Sequence, residues 1–380
     1  MGTTRLWDKE EDYKKLGLKP GEVQLFESGR IIPAGRPGSE VWYFDAILDC
    51  GTKITLGCRT KTAFATDLPD APPFAGLTLT DPDGNVITDF TSSEDYSFSS
   101  EKCDIKIGKH RITGDHKIYN LHLEAATKEN APSTVDGLEV NAAGGTGAEL
   151  TFEALVEPFR QDTGRIILDE NPDLFMAWIP IPSMKVSGEL TIGGVTRKVT
   201  GTGYHDHRVM GVNDLYGWHH WVWGRQTLKD YSLVIYNIVS AEPYGFTQVP
   251  LFALYDNKTG KIIFQNNGSM EREIQEFSFD ESTQKNWPKV IKYTLKDGSK
   301  TVEYTLKWKD ILETRDFYAA LPPEAQKALD ERKMKPAYMR FFSQGNLKIT
   351  DNDKVICDVS GDMIYEIAYN GLPDERAKFC

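Results

Sequence analysis

Short segments of alternating apolar and polar residues, each ended by a tight-turn signal, limit what this chain can fold into. Met184-Lys-Val-Ser-Gly-Glu-Leu-Thr-Ile192 runs into Gly193-Gly194 and returns as Val195-Thr-Arg-Lys-Val199. Two adjacent glycines supply the positive φ angles of a two-residue hairpin. Leu77-Thr-Leu-Thr80 passes through Asp81-Pro-Asp-Gly-Asn85 to Val86-Ile87 in the same manner. Further turns stand at Asp256–Gly260, Lys296–Ser299 and Thr350–Asp353. Strands at this spacing predict an antiparallel sandwich or barrel. Helix is sparse: residues 323–333 after Leu321-Pro322, and one or two turns within 8–16. Residues 126–148 are polar, small and Gly-rich and predict a long excursion.

At 380 residues the chain exceeds one ordinary core, so two domains are expected. Two segments are loosely alike. Glu40-Val-Trp-Tyr-Phe-Asp45 and His219-His-Trp-Val-Trp-Gly-Arg225 each place aromatic residues at the start of an apolar alternating run. Two similar barrels in tandem would explain this, the second beginning near residue 215. The formal net charge of -12 argues against nucleic acid or an anionic membrane surface as partner. No run approaches a membrane span. The N-terminal residues lack an apolar core of signal-peptide length, so a cytoplasmic protein is expected. The five cysteines are scattered without a CxxC pair, which speaks against structural zinc. Reduced thiols are the default, with a Cys50–Cys58 disulfide the alternative.

Chemistry-bearing residues concentrate in Gly201–Arg225, which holds four of the seven histidines and three of the eight tryptophans. On a strand His205 and His207 point to one side and Asp206 to the other. Two imidazoles at i and i+2 can ligate zinc or copper, though no third ligand is placed by sequence. The same residues can form a buried polar network, or an Asp–His pair that moves a proton. His219, Trp221 and Trp223 would share one strand face and His220, Val222 and Gly224 the other. The tryptophan face could fill a barrel or form a wall for an apolar substrate. Glu40 beside Trp42-Tyr43-Phe44 is either a surface residue or a buried hydrogen-bonding group. There is no GxSxG, phosphate loop or HExxH. Gly144-Gly-Thr-Gly147 has no following amphipathic helix, so any enzyme here works without a nucleotide or flavin.

The order of Phe175-Met-Ala-Trp-Ile-Pro-Ile-Pro182, the Gly193-Gly194 hairpin, Gly201-Thr-Gly-Tyr-His-Asp-His207 and His219–Arg225 resembles the carotenoid 1,2-hydratase (hydroxyneurosporene synthase) family. Glu40–Asp45 looks like its early Glu-Trp-Trp-Tyr segment, and Ala337–Ser343 and Ile364–Gly371 look like its last strands. The resemblance covers about residues 25–371. It implies an all-β chain: two tandem lipocalin-like antiparallel β-barrels or sandwiches with few short helices. The expected domains are 1–214 and 215–380.

That family's relatives include carotenoid hydratases, kievitone-type hydratases and fungal Diels–Alderases and hetero-Diels–Alderases. The resemblance implies protonation roles for Tyr204 and Asp206 in a hydratase, and substrate contacts for Glu40 and Trp221 in a cyclase. Arg208-Val-Met-Gly stands where the hydratases have Asn-Trp-Gly, which counts against the hydratase role. Tyr365 replaces a last-strand tryptophan. The expectation is therefore a cofactor-free pericyclase that shapes a hydrophobic polyene or enone of polyketide or terpenoid type. Its catalytic candidates are Asp206, Tyr204, Glu40, Trp221 and His205, with no metal. Its lining candidates are Trp42, Trp178, His207, Trp218, His219, Trp223, Tyr236, Phe342 and Tyr365. The alternatives are a hydratase or dehydratase of an isoprenoid or prenylated phenol, and a non-catalytic lipocalin-like carrier.

Overall fold

A computed structural model of the chain describes residues 2–126, 134–135, 138–139 and 145–379. Strand accounts for 61% and helix for 9%, so burial comes almost wholly from sheet faces. All pairings that position the residues below are antiparallel. The excursion expected at 126–148 falls largely outside the described residues. The chain divides into two compact units: Leu6–Ile167 with Asn171–Asn213, and Asp214–Cys380 with Met1–Arg5 and Leu168–Glu170.

The first unit is built on a large antiparallel sheet. Its central strands run in the order Lys53–Arg59, Ser39–Leu48, Val195–Met210, Asn171–Ile192, Thr146–Ala154. The glycine hairpin forms as expected: Ile192 pairs with Val195, and Gly193 and Gly194 have φ of 56° and 79°. Asn352 and Asp353 make the equivalent turn in the second unit, at φ 47° and 62°. Asn and Asp tolerate this left-handed region better than other side chains, because a short polar group can bond locally.

The second unit is a nine-stranded sheet with the order Lys261–Gln265, Gln248–Asp256, Tyr231–Ser240, Trp218–Leu228, Lys354–Gly371, Met334–Asp351, Lys300–Asp316, Lys285–Asp297, Glu271–Asp280. Its core packs Val222, Leu233, Ile235, Tyr293, Tyr304, Phe341, Tyr365 and Ile367. The two aromatic segments found alike in sequence hold matching places. Ser39–Leu48 pairs with Val195–Met210, and Trp218–Leu228 pairs with Lys354–Gly371. Each is an early strand bonded to the last long strand of its own sheet. The helix expected at 323–333 spans Pro323–Asp330, and the N-terminal one Glu10–Leu16.

Two irregularities matter for the site. Pro180 and Pro182 lie within Asn171–Ile192, where a missing N–H would break a regular ladder. The register shifts there, between Ile181 and Met184. The carbonyls of Pro180 and Ser183 accept from Phe159 N (2.9 Å) and Leu155 N (3.0 Å), which holds residues 155–159 beside this strand. The second irregularity is a register shift between Trp218 and His220. It corrects the strict alternation expected at His219 and His220. With one residue inserted into the ladder, the two neighbours no longer face opposite sides. Their Nδ1 atoms lie 2.7 Å apart.

Candidate functional site

On Val195–Met210 the alternation holds, and it separates two sets of candidate residues. Tyr204 and Asp206 face one way. The Tyr204 hydroxyl donates to Asp206 Oδ2 at 2.7 Å, and Trp178 Nε1 donates to the same oxygen at 3.0 Å. Trp178 comes from the neighbouring strand and meets Phe159 of the adjoining segment edge-on, centroids 6.4 Å apart. Half-buried Tyr43, directly opposite Asp206 in the ladder, sets its ring edge-on to Tyr204 at 6.1 Å. Two donors on one oxygen are the environment of an ionised carboxylate, since each bond strengthens with negative charge on the acceptor. Asp206 retains 7% of its surface exposed, whereas Tyr204 is fully buried.

His205 and His207 face the other way, into the sheet's packed side. His205 Nδ1 donates to the Tyr43 carbonyl at 3.0 Å. Its ring stacks on Phe44 at 4.1 Å and meets Tyr119 at 4.2 Å. Burial holds it well below the usual histidine range, so it is neutral. Its surroundings are those of a core residue.

Both nitrogens of His207 meet acceptors. Nδ1 lies 2.8 Å from the Glu27 carbonyl and Nε2 lies 3.0 Å from Glu40 Oε2. The Glu40 carboxylate also accepts from the backbone N–H of Ile31 (3.0 Å) and Ile32 (2.6 Å). A carbonyl cannot donate, and Glu40 already takes backbone protons. An imidazolium against a carboxylate satisfies every atom. Trp42 lies flat on the His207 ring, centroids 4.4 Å apart at 12°, and donates Nε1 to the Ser28 carbonyl at 2.7 Å. An aromatic face over a cation adds electrostatic attraction. Behind this pair, Glu27 bonds Arg160 at 2.8 Å, both side chains almost fully buried. Burial raises the Glu27 carboxyl against the opposing pull of Arg160. Glu40, His207 and Trp42 thus form a closed structural network, and Glu40 is a clamp on residues 31–32.

In the second unit Trp221 and Trp223 alternate with the core residue Val222. They share their face with Tyr236, which opposes Trp223 in the ladder and meets Trp221 edge-on at 6.4 Å. Phe342 likewise alternates with the core residue Phe341 and carries Lys309 5.4 Å over its ring. Tyr365 belongs to the core, stacked on Phe341 at 5.0 Å, and so parts from the other lining candidates. Trp218 is fully buried where its strand begins, and Asn370 donates to its carbonyl.

His219 and His220 have a fixed proton order. Arg272 Nη1 can only donate, and it lies 2.7 Å from His220 Nε2. That nitrogen is therefore an acceptor, and His220 carries its proton on Nδ1, aimed at His219 Nδ1. His219 then carries its own on Nε2, 2.8 Å from the Leu372 carbonyl. Both rings are neutral. Burial agrees, pushing His219 down to about 4 and His220 well below the usual range.

Sequence reasoning missed Arg272, Glu27, Arg160 and Phe159. Arg272 sits in Glu271-Arg-Glu273, which reads as an ordinary solvated strand face. Among the described residues no group of three or more His, Cys, Asp or Glu side chains could hold a metal ion. Cys50, Cys58, Cys103 and Cys357 are free thiols, so no Cys50–Cys58 bridge forms. No helix among the described residues is long and apolar enough to cross a membrane.

No family model matches the chain, and no curated protein is similar to it by sequence. Solved structures are similar. An AttH-type protein from Nitrosomonas europaea superposes with a TM-score of 0.55 at 15% identity, over 92% of this chain and 98% of its own. CghA superposes at 0.54 with 12% identity, over 90% and 94%, and CghA with Sch210972 at 0.53. Kievitone hydratase from Nectria haematococca gives 0.49 at 10% identity, over 92% and 96%. The AttH-type protein and CghA share this chain's fold along nearly their whole length, in agreement with the lipocalin-like architecture expected from the resemblance.

Proposed function

We propose that this chain is a cofactor-independent cyclase that folds a hydrophobic polyene or enone into a reactive pose, a pericyclase of the Diels–Alder or hetero-Diels–Alder type. The observation that carries this reading is the bonding of Asp206, whose Oδ2 accepts from both Tyr204 and Trp178. Two donors on one oxygen favour the carboxylate form, and a carboxylate anchored by Tyr204 and Trp178 is a poor donor for protonating an alkene, which a hydratase requires. It is well suited to ordering aromatic side chains and to accepting a hydrogen bond from substrate. Pericyclic closure needs little more: holding the termini in register supplies up to roughly 7–11 kcal/mol. The fold shared with CghA, solved with Sch210972, supports a small-molecule role. Trp221, Trp223 and Tyr236, which share the face opposite the Val222 core, are a second aromatic group of the right chemistry to shape such a substrate.

A hydratase or dehydratase is the second reading, favoured by the 2.7 Å Tyr204–Asp206 bond, a route for moving a proton. The two separate by mass. Linear polyene tetramates, enones and prenylated phenols are incubated with the protein in ¹⁸O water. A product isomeric with its substrate and free of label supports the cyclase. Label uptake or loss of water without ring formation supports the hydratase class. Unchanged compounds across the panel, with binding retained, would leave a carrier.

A further inference from the structure

Around Arg272 in the second unit, buried hydrogen-bond donors stand without acceptors. The Arg272 guanidinium bonds only neutral partners: His220, Asn237 Oδ1 (3.2 Å), and the carbonyls of Ala377 (3.2 Å) and Lys378 (2.9 Å). Lys285 reaches only the carbonyls of Tyr369 and Gly371, at 2.6 and 2.8 Å. Neither cation has a carboxylate within ion-pair distance among the described residues. Because Arg272 fixes the Asn237 oxygen, the Asn237 Nδ2 is left without an acceptor. The Tyr293 hydroxyl, fully buried and close enough to feel the Arg272 charge, also has none. Buried donors left unmade cost free energy, so such a cluster calls for an acceptor.

Part of that demand is met by the chain's own residues 377–379. Phe379 is fully buried, its ring stacked 3.7 Å from His220 and set edge-on to Tyr369 at 5.1 Å. Its carbonyl accepts from the Tyr369 hydroxyl at 3.1 Å, and the two preceding carbonyls take Arg272. The segment is tied down by Arg376, which bonds Asp374 and Glu242 at 2.6 and 2.7 Å. These outer ties are half-exposed ion pairs, individually weak. An aromatic ring with oxygen acceptors on the attached backbone, facing a guanidinium and a phenol, is the outline of a ligand.

We propose that this end of the second unit's barrel is a binding site for an aromatic carboxylate, which displaces residues 377–379 and places its anionic group on Arg272. A carboxylate supplies the full negative charge that three backbone carbonyls lack. The inference is independent of the chemistry assigned to Asp206.

The probe is 3-phenylpropanoate, titrated calorimetrically into the full-length chain and into Phe379→Ala. Binding at least tenfold tighter to Phe379→Ala is expected, since the competing ring is gone. 3-Phenylpropanol should bind at least tenfold more weakly than the acid, and adding Arg272→Gln should remove that preference. No binding to a folded Phe379→Ala chain, or equal affinity for acid and alcohol, overturns the proposal. Should the variants fail to fold, hydrogen exchange on the unsubstituted chain decides. Saturating 3-phenylpropanoate should speed exchange at residues 374–379, and unchanged exchange there overturns the proposal.

Discussion

His207 and Glu40 meet at 3.0 Å with both side chains buried, and the pair's other side-chain hydrogen bonds go to backbone. The Glu40 carboxylate holds the Ile31 and Ile32 amides while His207 holds the Glu27 carbonyl, so one ion pair fastens two stretches of a loop to the sheet. Glu40→Gln keeps the shape but removes the charge. Stripping one member of a buried pair costs roughly 3–5 kcal/mol. The denaturation midpoint of Glu40→Gln should fall accordingly. A variant of native stability with abolished turnover would instead make Glu40 a chemical participant.

The His219–His220 pair makes stability depend on pH. His219 is held neutral in the fold, with its value lowered to about 4 from about 6.5. A depressed histidine favours the fold above its unfolded value, and that contribution is lost as protons are added. Unfolding free energy should therefore drop as pH falls from about 6.5 to 4, by about 3 kcal/mol from His219. Denaturant titrations at half-unit pH steps measure it. His219→Gln should flatten the slope in this window.

Asp206 is tested by paired substitutions. Tyr204→Phe removes one donor and leaves Trp178 in place, so folding should change by about 1 kcal/mol. Under the cyclase reading, Tyr204→Phe should slow turnover modestly, because the carboxylate keeps its second anchor. Asp206→Asn should cost on the order of 10²–10³ in kcat, the scale of losing a positioned electrostatic group. If Tyr204→Phe proved as damaging as Asp206→Asn, proton transfer through the tyrosine would be the better account.

Trp221 faces away from the Val222 core cluster but is only 9% exposed, so Trp221→Ala should destabilise the chain by about 3 kcal/mol while leaving it folded. Its effect is expected in product distribution, read as the ratio of stereoisomers by chromatography. Unchanged ratios and rate would remove Trp221 from the substrate surface.

Gly371 gives a packing test. A Cβ there would stand 2.0 Å from His219 Cδ2, too close for any real contact. Gly371→Ala should destabilise by about 1–3 kcal/mol through forced displacement. A near-native midpoint would mean that the imidazole moves freely, and the proton order deduced for the pair would fail with it.

How far the sequence carries depends on where the physics writes itself. The hairpins were legible because left-handed turns need Gly, Asn or Asp, and those letters stand at Gly193, Gly194, Asn352 and Asp353. The opposed faces of Asp206 and His205 followed from the period of a strand. The kinship of Glu40–Asp45 with His219–Arg225 was legible because both strands carry aromatics into equivalent ladders. The bulge was not: nothing in His219-His220 says that one of them is extra. Nor was the role of Glu40, whose partners are backbone amides and leave no mark in side-chain identity. Arg272 was hidden for a related reason, since Glu271 and Glu273 on either side of it are charged and exposed while it reaches inward.

The contrast between two histidine settings has a practical consequence. His207 is bonded as a cation, while His220 and His219 are bonded as opposite tautomers of the neutral ring. Ring nitrogens in these three states resonate at separate frequencies, so a spectrum of nitrogen-labelled histidine would report each region of the molecule by itself. Such a spectrum could follow loosening around Glu40 or around Phe379 without a substrate in hand, using probes the chain already carries.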